Sequence, residues 1–147
     1  MAGITGVFPV FKNKFKIGAS QESLKPIAEM ESFSVKVDGS VQEWTPMDTE
    51  GWMKRLMTGK SITVSLKGKR CIGDEGNDYV YELSWKNGLE CDAFFEWEFP
   101  SSGKISFNCV INVTTPGGGD STNVDSLEFD IMSSGKPTYT PPVGAGG

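Results

Sequence analysis

The feature that most limits the fold is an alternation of apolar and polar residues with period two, which returns in segment after segment. Phe33, Val35 and Val37 alternate with Ser34, Lys36 and Asp38, and Ile62, Val64 and Leu66 alternate with Ser61, Thr63, Ser65 and Lys67. Phe95, Trp97 and Phe99 share a face opposite Glu96 and Glu98. Ile105, Phe107, Cys109, Ile111 and Val113 repeat the pattern, as do Leu127, Phe129 and Ile131 against Glu128 and Asp130. Period two is the signature of a strand with one buried face. A sheet with one apolar face must close on itself or pack against a second layer. The pattern predicts a mainly β fold (α+β): a β-sandwich or open barrel with one or two short flanking helices.

Between these segments, turn and cap signals predict the connections. Asp38-Gly39 is a hairpin signal, with Val41 to Thr45 as the returning strand. Asp48 or Thr49 can cap a helix over residues 49–57, with Glu50 at its positive end. Trp52 and Leu56, at i and i+4, would form the core stripe of that helix, and Gly59 would end it. Asn77 to Asn87 fits two periods. Tyr79, Tyr81, Leu83 and Trp85 alternate, whereas Val80, Leu83 and Asn87 make a helix face; caps at both ends favour the helix. Pro100 to Gly103 is a hairpin loop. Residues 1–28 lack a period and interleave Phe8, Phe11 and Phe15 with lysines. They are expected to form an N-terminal arm whose three phenylalanines make assembly contacts. Residues 29–134 form the expected β domain, and the Gly- and Pro-rich residues 135–147 a flexible tail.

Composition removes most chemistries. A chain of 147 residues can bury enough surface as one domain to need no disulfide or metal. The formal charge of −5 and only short basic runs argue against a phosphate-neutralising groove. There is no histidine, so no serine or cysteine nucleophile has an imidazole base. Cys71, Cys91 and Cys109 are far apart with no CxxC pair, and read as reduced thiols rather than zinc ligands. Thr58-Gly59-Lys60-Ser61 looks like the end of a phosphate loop, but residues 52–58 contain no glycine to supply its first half. Gly117-Gly118-Gly119-Asp120 has no helix pattern after it and reads as a hairpin loop. Glu96 and Glu98 stand ~6–7 Å apart by strand rise. That overlaps an inverting glycosidase pair, yet two carboxylates on one strand also describe its polar side. No secretory leader and no run of ~20 apolar residues is evident. The expectation is a non-enzyme with no catalytic residue, cofactor or metal, and no membrane association.

Five stretches complete the picture. The run Glu43 to Ser65, the segments Gly76-Asn77-Asp78-Tyr79 and Phe95 to Pro100, and Gly117 to Val124 with Gly135 to Tyr139 together resemble the major tail tube proteins of long-tailed phages and prophages of Gram-positive bacteria. The resemblance covers roughly residues 30–140 in order. It implies a β-sandwich with a flanking helix, assembled into hexameric rings that stack into a virion tail tube in the host cytoplasm. It implies a homo-oligomer as the main partner, with tape-measure, tail terminator and baseplate or tail-tip proteins, and phage DNA in transit only. Glu96, Glu98, Glu128 and Asp130 then become the expected lumen-facing residues; in a free subunit the same four would be a solvated sheet face. The inner tube of a contractile tail or a phage-tail-like bacteriocin is the related alternative. A β-sandwich carbohydrate-binding module is the alternative of another class, and would need exposed aromatics on one flat face.

Overall fold

A computed structural model describes residues 6–142. Eight strands form one antiparallel sheet: β1 Lys14–Gly18, β2 Lys25–Pro26, β3 Met30–Trp44, β4 Lys54–Lys69, β5 Asp92–Glu98, β6 Lys104–Thr115, β7 Ser126–Ser133 and β8 Thr138–Thr140. Among the described residues a single α-helix, α1 (Glu75–Glu82), lies between β4 and β5. The spatial order is β2-β1-β5-β6-β7-β4-β3. β8 joins β6 beyond the end of β7, pairing Lys104–Ser106 where β7 pairs Cys109–Thr115.

The two ends of this sheet meet. β2 sits at one edge and β3 at the other, yet only residues 27–29 separate them in the chain. Glu29 turns that corner in the left-handed conformation (φ 63°), and its carbonyl accepts the Lys69 N–H at 2.8 Å. Phe15 of β1 lies edge-on to Phe33 of β3, with ring centroids 4.8 Å apart. The sheet is therefore curled into an open barrel, as the alternation requires of a sheet with one apolar face. Ile17, Phe95, Phe107, Ile111, Ile131 and Leu66 are fully or almost fully buried inside it. All but Ile17, which lies in the segment read as having no period, are residues that the period-two reading placed inward.

α1 closes one end of the core through Val80, and Leu83 follows in a 3₁₀ turn, Leu83–Trp85. The helix expected over residues 77–87 is present but starts earlier and ends sooner; its cap is Asp74, not Asn77, and the Asp74 carboxylate accepts Asn77 N–H at 3.0 Å. The same oxygen accepts Ala28 N–H at 3.1 Å. Asn77 is fully buried with its amide fully used. Its Oδ1 accepts from Arg70 and from Cys71 N–H, and its Nδ2 donates to the Ala28 and Lys69 carbonyls. Gly76 is fixed by contact: a Cβ there would fall 2.3 Å from the Pro26 carbonyl oxygen. Gly76-Asn77 ties the helix to the corner where the sheet closes.

Three expectations fail. No helix forms over residues 49–57. Met47–Thr49 makes one 3₁₀ turn, Glu50 and Gly51 then adopt left-handed φ values of 53° and 90°, and β4 begins at Lys54. Trp52 and Leu56 are consequently exposed, at 78% and 58%, rather than core residues. The Thr49 hydroxyl lies within donating distance of the Pro46 and Trp52 carbonyls, so it supports a turn, and it does not cap a helix. Lastly, Asp38-Gly39 is not a turn. Asp38 pairs with Ser61 and Gly39 with Lys60 inside the continuous β3–β4 ladder. Gly39 makes room instead, since a Cβ would approach Met57 Cε to 2.9 Å.

The expected N-terminal arm contributes β1 and β2 to the sheet, and the expected tail contributes β8. Residues 1–5 and 143–147 of those two segments lie outside the described residues.

Candidate assembly surface

β3 and β4 form a hairpin far longer than the sheet they belong to. Near its base, Thr63–Lys69 of β4 also pairs with β7. From Gly39 to Trp44 and from Lys54 to Lys60 the two strands have only each other. A two-stranded ribbon alone in water is marginal. The ladder carries a bulge between Ser40 and Val41, where Thr58 is the extra residue and its hydroxyl donates to the Ser40 carbonyl at 3.0 Å. Bulges bend and twist a ribbon.

The alternation continues along this ribbon after the core has ended. Cross-strand partners point to the same face. Val35 with Val64, Val37 with Ile62, and Val41 with Met57 extend the barrel's apolar face outward. Val64 is buried, whereas Val35, Val37, Val41 and Met57 are exposed. At the tip, Trp44, Met47, Trp52, Met53 and Leu56 are all exposed. Each large apolar side chain that becomes buried contributes ~1.5–3 kcal/mol. By register Val41 and Met57 share one face of the ribbon, and Trp44 and Leu56 the other, so apolar side chains are exposed on both; exposed apolar surface of this kind makes the ribbon a candidate interaction site. Glu43 and Arg55 lie across from each other at 2.7 Å and polarise the end of the stripe.

The other sheet face is mainly polar, apart from Phe94, Val110 and Met132 toward one end, and carries the four carboxylates expected to face a lumen. Glu96, Glu98, Glu128 and Asp130 lie on β5 and β7, on either side of β6, and all are half-buried. The register puts a lysine beside three of them. Lys16 pairs with Glu96, Lys14 and Lys104 with Glu98, and Lys67 with Glu128. Lys104 Nζ reaches Glu96 at 3.6 Å, and Asp130 accepts from the Ser65 hydroxyl at 2.7 Å. The face is thus one of mixed charge, and not the acidic wall that the two strands taken separately suggested.

The expected contact residues divide. Phe8 and Phe11 are exposed, Phe11 within the short 3₁₀ turn Val10–Lys12. Phe15 packs inward on Phe33, Phe95 and Trp97. Phe95, Trp97 and Phe99 do not form a flat exposed platform, because Phe95 is buried and Trp97 meets Phe33 and Phe99 edge to face. Reading the sequence alone missed Val41, Met47 and Met57 as surface residues. The signal was a run of adjacent apolar residues, Leu56-Met57, which a strand must split between two faces.

Cys109 is buried in the core; burial first, and then the Asp92 carboxylate, push its thiol up to about 12. Such a thiol is inert. Burial also raises the Tyr79 phenol, with Cys109 and Cys91 adding to the effect. Among the described residues no cluster of three or more Cys, Asp or Glu side chains could hold a metal. Among them, too, no helix is long and apolar enough to cross a membrane.

No protein-family model and no curated protein matches the chain. Solved structures do. A chain from the tail of an empty gene transfer agent (GTA) particle with C6 symmetry superposes with a TM-score of 0.71 at 14% identity, covering 92% of this chain and all of that one. The virion of a native GTA particle gives 0.69 at 14% identity, with 92% and 100% covered. The sheath/tube terminator structure of an extracellular contractile injection system, PVC, in its extended state gives 0.61 at 12% identity, with 94% and 99% covered. The fold is shared end to end with chains of tail particles. These likenesses do not single out the long-tailed phages of Gram-positive hosts that the sequence resembles.

Proposed function

We propose that this chain is the structural subunit of a phage-type tail tube, acting by self-association and not by catalysis. The observation that carries the reading is the unsupported outer half of the β3–β4 hairpin. It displays apolar side chains on a ribbon that its own fold leaves bare, so a second copy is needed to cover them. The end-to-end likeness to chains of tail particles, one with C6 symmetry, supports hexameric rings stacked into a tube in the virion tail. The tape-measure, terminator and baseplate or tail-tip proteins follow as partners of such a tube.

The polar face of β5–β6–β7, with Glu96, Glu98, Glu128 and Asp130, would line the lumen. Its lysines and carboxylates neutralise each other locally. A hydrated wall of this kind holds phosphate weakly, so DNA passes without adhering. The likeness to the PVC structures favours, as a second reading, the inner tube of a contractile particle. The test is negative-stain microscopy of the purified chain across a range of concentrations. Rings or tubes are expected; a monomer at every concentration would overturn the proposal.

A further inference from the structure

Asparagine is among the thermolabile residues, and one of the six in this chain differs from the rest. Asn87-Gly88 is the one Asn-Gly pair in the sequence. It joins two 3₁₀ turns, Leu83–Trp85 and Gly88–Cys91. Both residues are exposed and help to line an open pocket of about 360 Å³ together with Lys86, Cys91 and Asn112. Asn87 Oδ1 accepts the Gly88 N–H at 2.9 Å. That bond closes a seven-membered ring and holds the Gly88 nitrogen against the side-chain amide. Gly88 has no side chain to shield its nitrogen, and nothing lies within 4 Å of where a Cβ would stand. The other asparagines lack this arrangement. Asn77 is buried with its amide fully used. Asn108 and Asn112 are held in the ladders of β6, Asn13 is bonded to Val10 and Trp97, and Asn123 precedes a β-branched valine.

We propose that Asn87 is a site of spontaneous modification, converted through a cyclic imide to aspartate and isoaspartate with water as the co-reactant. The Gly88 nitrogen gives its proton to hydroxide and attacks Asn87 Cγ. The new N–C bond closes a five-membered succinimide. The Cγ–Nδ2 bond breaks, and Nδ2 takes a proton from water and leaves as ammonia. Water then adds to one of the two imide carbonyls. Opening at Cγ gives aspartate; opening at the main-chain carbonyl carbon gives isoaspartate, with the chain now running through the side chain. The balance is an amide and a water exchanged for a carboxylate and ammonium, with no change of oxidation state. Either product adds a negative charge next to Lys86, and such a change acts by ordinary electrostatics. Isoaspartate also inserts a methylene into the main chain between the two turns. Trp85 and Leu89, both exposed, flank that joint, so the modification resets this surface while leaving the strands of the barrel as they are.

The inference stands apart from the tube reading. The full chain is held at mildly alkaline pH in water labelled with heavy oxygen, then digested with trypsin in ordinary water. The 87–104 peptide, released by cleavage after Lys86 and Lys104, is followed by mass spectrometry. The label separates conversion in the native chain from conversion during digestion, and enzymatic methyl transfer reads out isoaspartate. Conversion at Asn87 should be at least about tenfold faster than at any other asparagine, a barrier lower by about 1.4 kcal/mol. It should be no slower than in a synthetic peptide of residues 83–92, because the fold already holds the reacting atoms together. Asn87→Gln, which needs a larger ring, should abolish the signal and melt as the wild type does. Gly88→Ala should slow conversion strongly. An Asn87 that persists in the folded chain while the peptide converts, or a rate equal to that of the other asparagines, would overturn the proposal, and so would an unchanged rate in Gly88→Ala.

Discussion

The inner and outer halves of one hairpin, built on the same two strands, obey the same alternation and end in opposite environments. At the base, Val64 and Leu66 are fully buried against β7 and the barrel interior. Farther out, Val37, Val41 and Met57 occupy equivalent face positions and meet nothing. Periodicity specifies which way a side chain points, and only the surrounding elements specify whether anything is there to receive it. The base is a folding element. The outer half is an unfilled interface, and in the tube reading it is completed by a neighbour.

The sharpest way to break this comparison is to truncate one large aromatic in each region. Phe95→Ala, inside the barrel, should cost ~3–5 kcal/mol and lower the melting temperature of the subunit markedly. Trp52→Ala should change monomer stability by no more than about 0.5 kcal/mol. Urea unfolding of both variants at a concentration below assembly measures the pair, and a large loss for Trp52→Ala would mean that the tip packs within its own chain.

Asn77 ranks next. Replacing it with alanine strands the Lys69 and Ala28 carbonyls and the Cys71 N–H that the amide now serves. The expected loss is about 2–3 kcal/mol, read in the same unfolding experiment, because this residue fastens the closure of the body. Gly76→Ala should follow at ~1–3 kcal/mol, since its Cβ would collide with the Pro26 carbonyl.

pH adds a test confined to the body. Cys109 titrates at about 12 in the folded chain against an ordinary 9.0. Between those values the unfolded chain has already lost the thiol proton that the folded chain retains. The fold therefore binds more protons there, and stability falls as pH rises through that window. Cys109→Ala should flatten this part of the alkaline limb in a pH series of melts, and an unchanged slope would show that the thiol is not held neutral. In native protein the Cys109 thiol should also react with alkylating agents far more slowly than Cys71 or Cys91, which are partly exposed. The smallest effect belongs to the outer half: Glu43→Gln removes the exposed pair with Arg55 and should cost ~0.2–1 kcal/mol, mostly erased by salt.

Much of the candidate surface was invisible to pattern reading because it broke a local expectation. Residues 46–59 contain a proline, a capping threonine, an i, i+4 apolar pair and a closing glycine, which is a helix in every local respect. Gly51 disfavours a helix by about 1 kcal/mol, and from Lys54 onward the ladder with β3 offers the backbone a partner. The long-range pairing wins. For the same reason Asp38-Gly39, a strong turn signal, is overridden by the register that places it opposite Lys60 and Ser61.

What the sequence determined by itself is the set of faces. Period two assigned Phe95, Phe107, Ile111, Leu127 and Ile131 to the inside, and cap signals at the ends of residues 77–87 indicated a helix there, two residues late at its start, because these preferences act over a few residues. The tertiary structure alone decided where the long hairpin turns, that β1 and β3 meet at Phe15 and Phe33, and that lysines stand beside Glu96, Glu98 and Glu128. Those outcomes depend on strand register and on sheet curl. Both are set by pairing between residues far apart in the chain, and no local pattern encodes them.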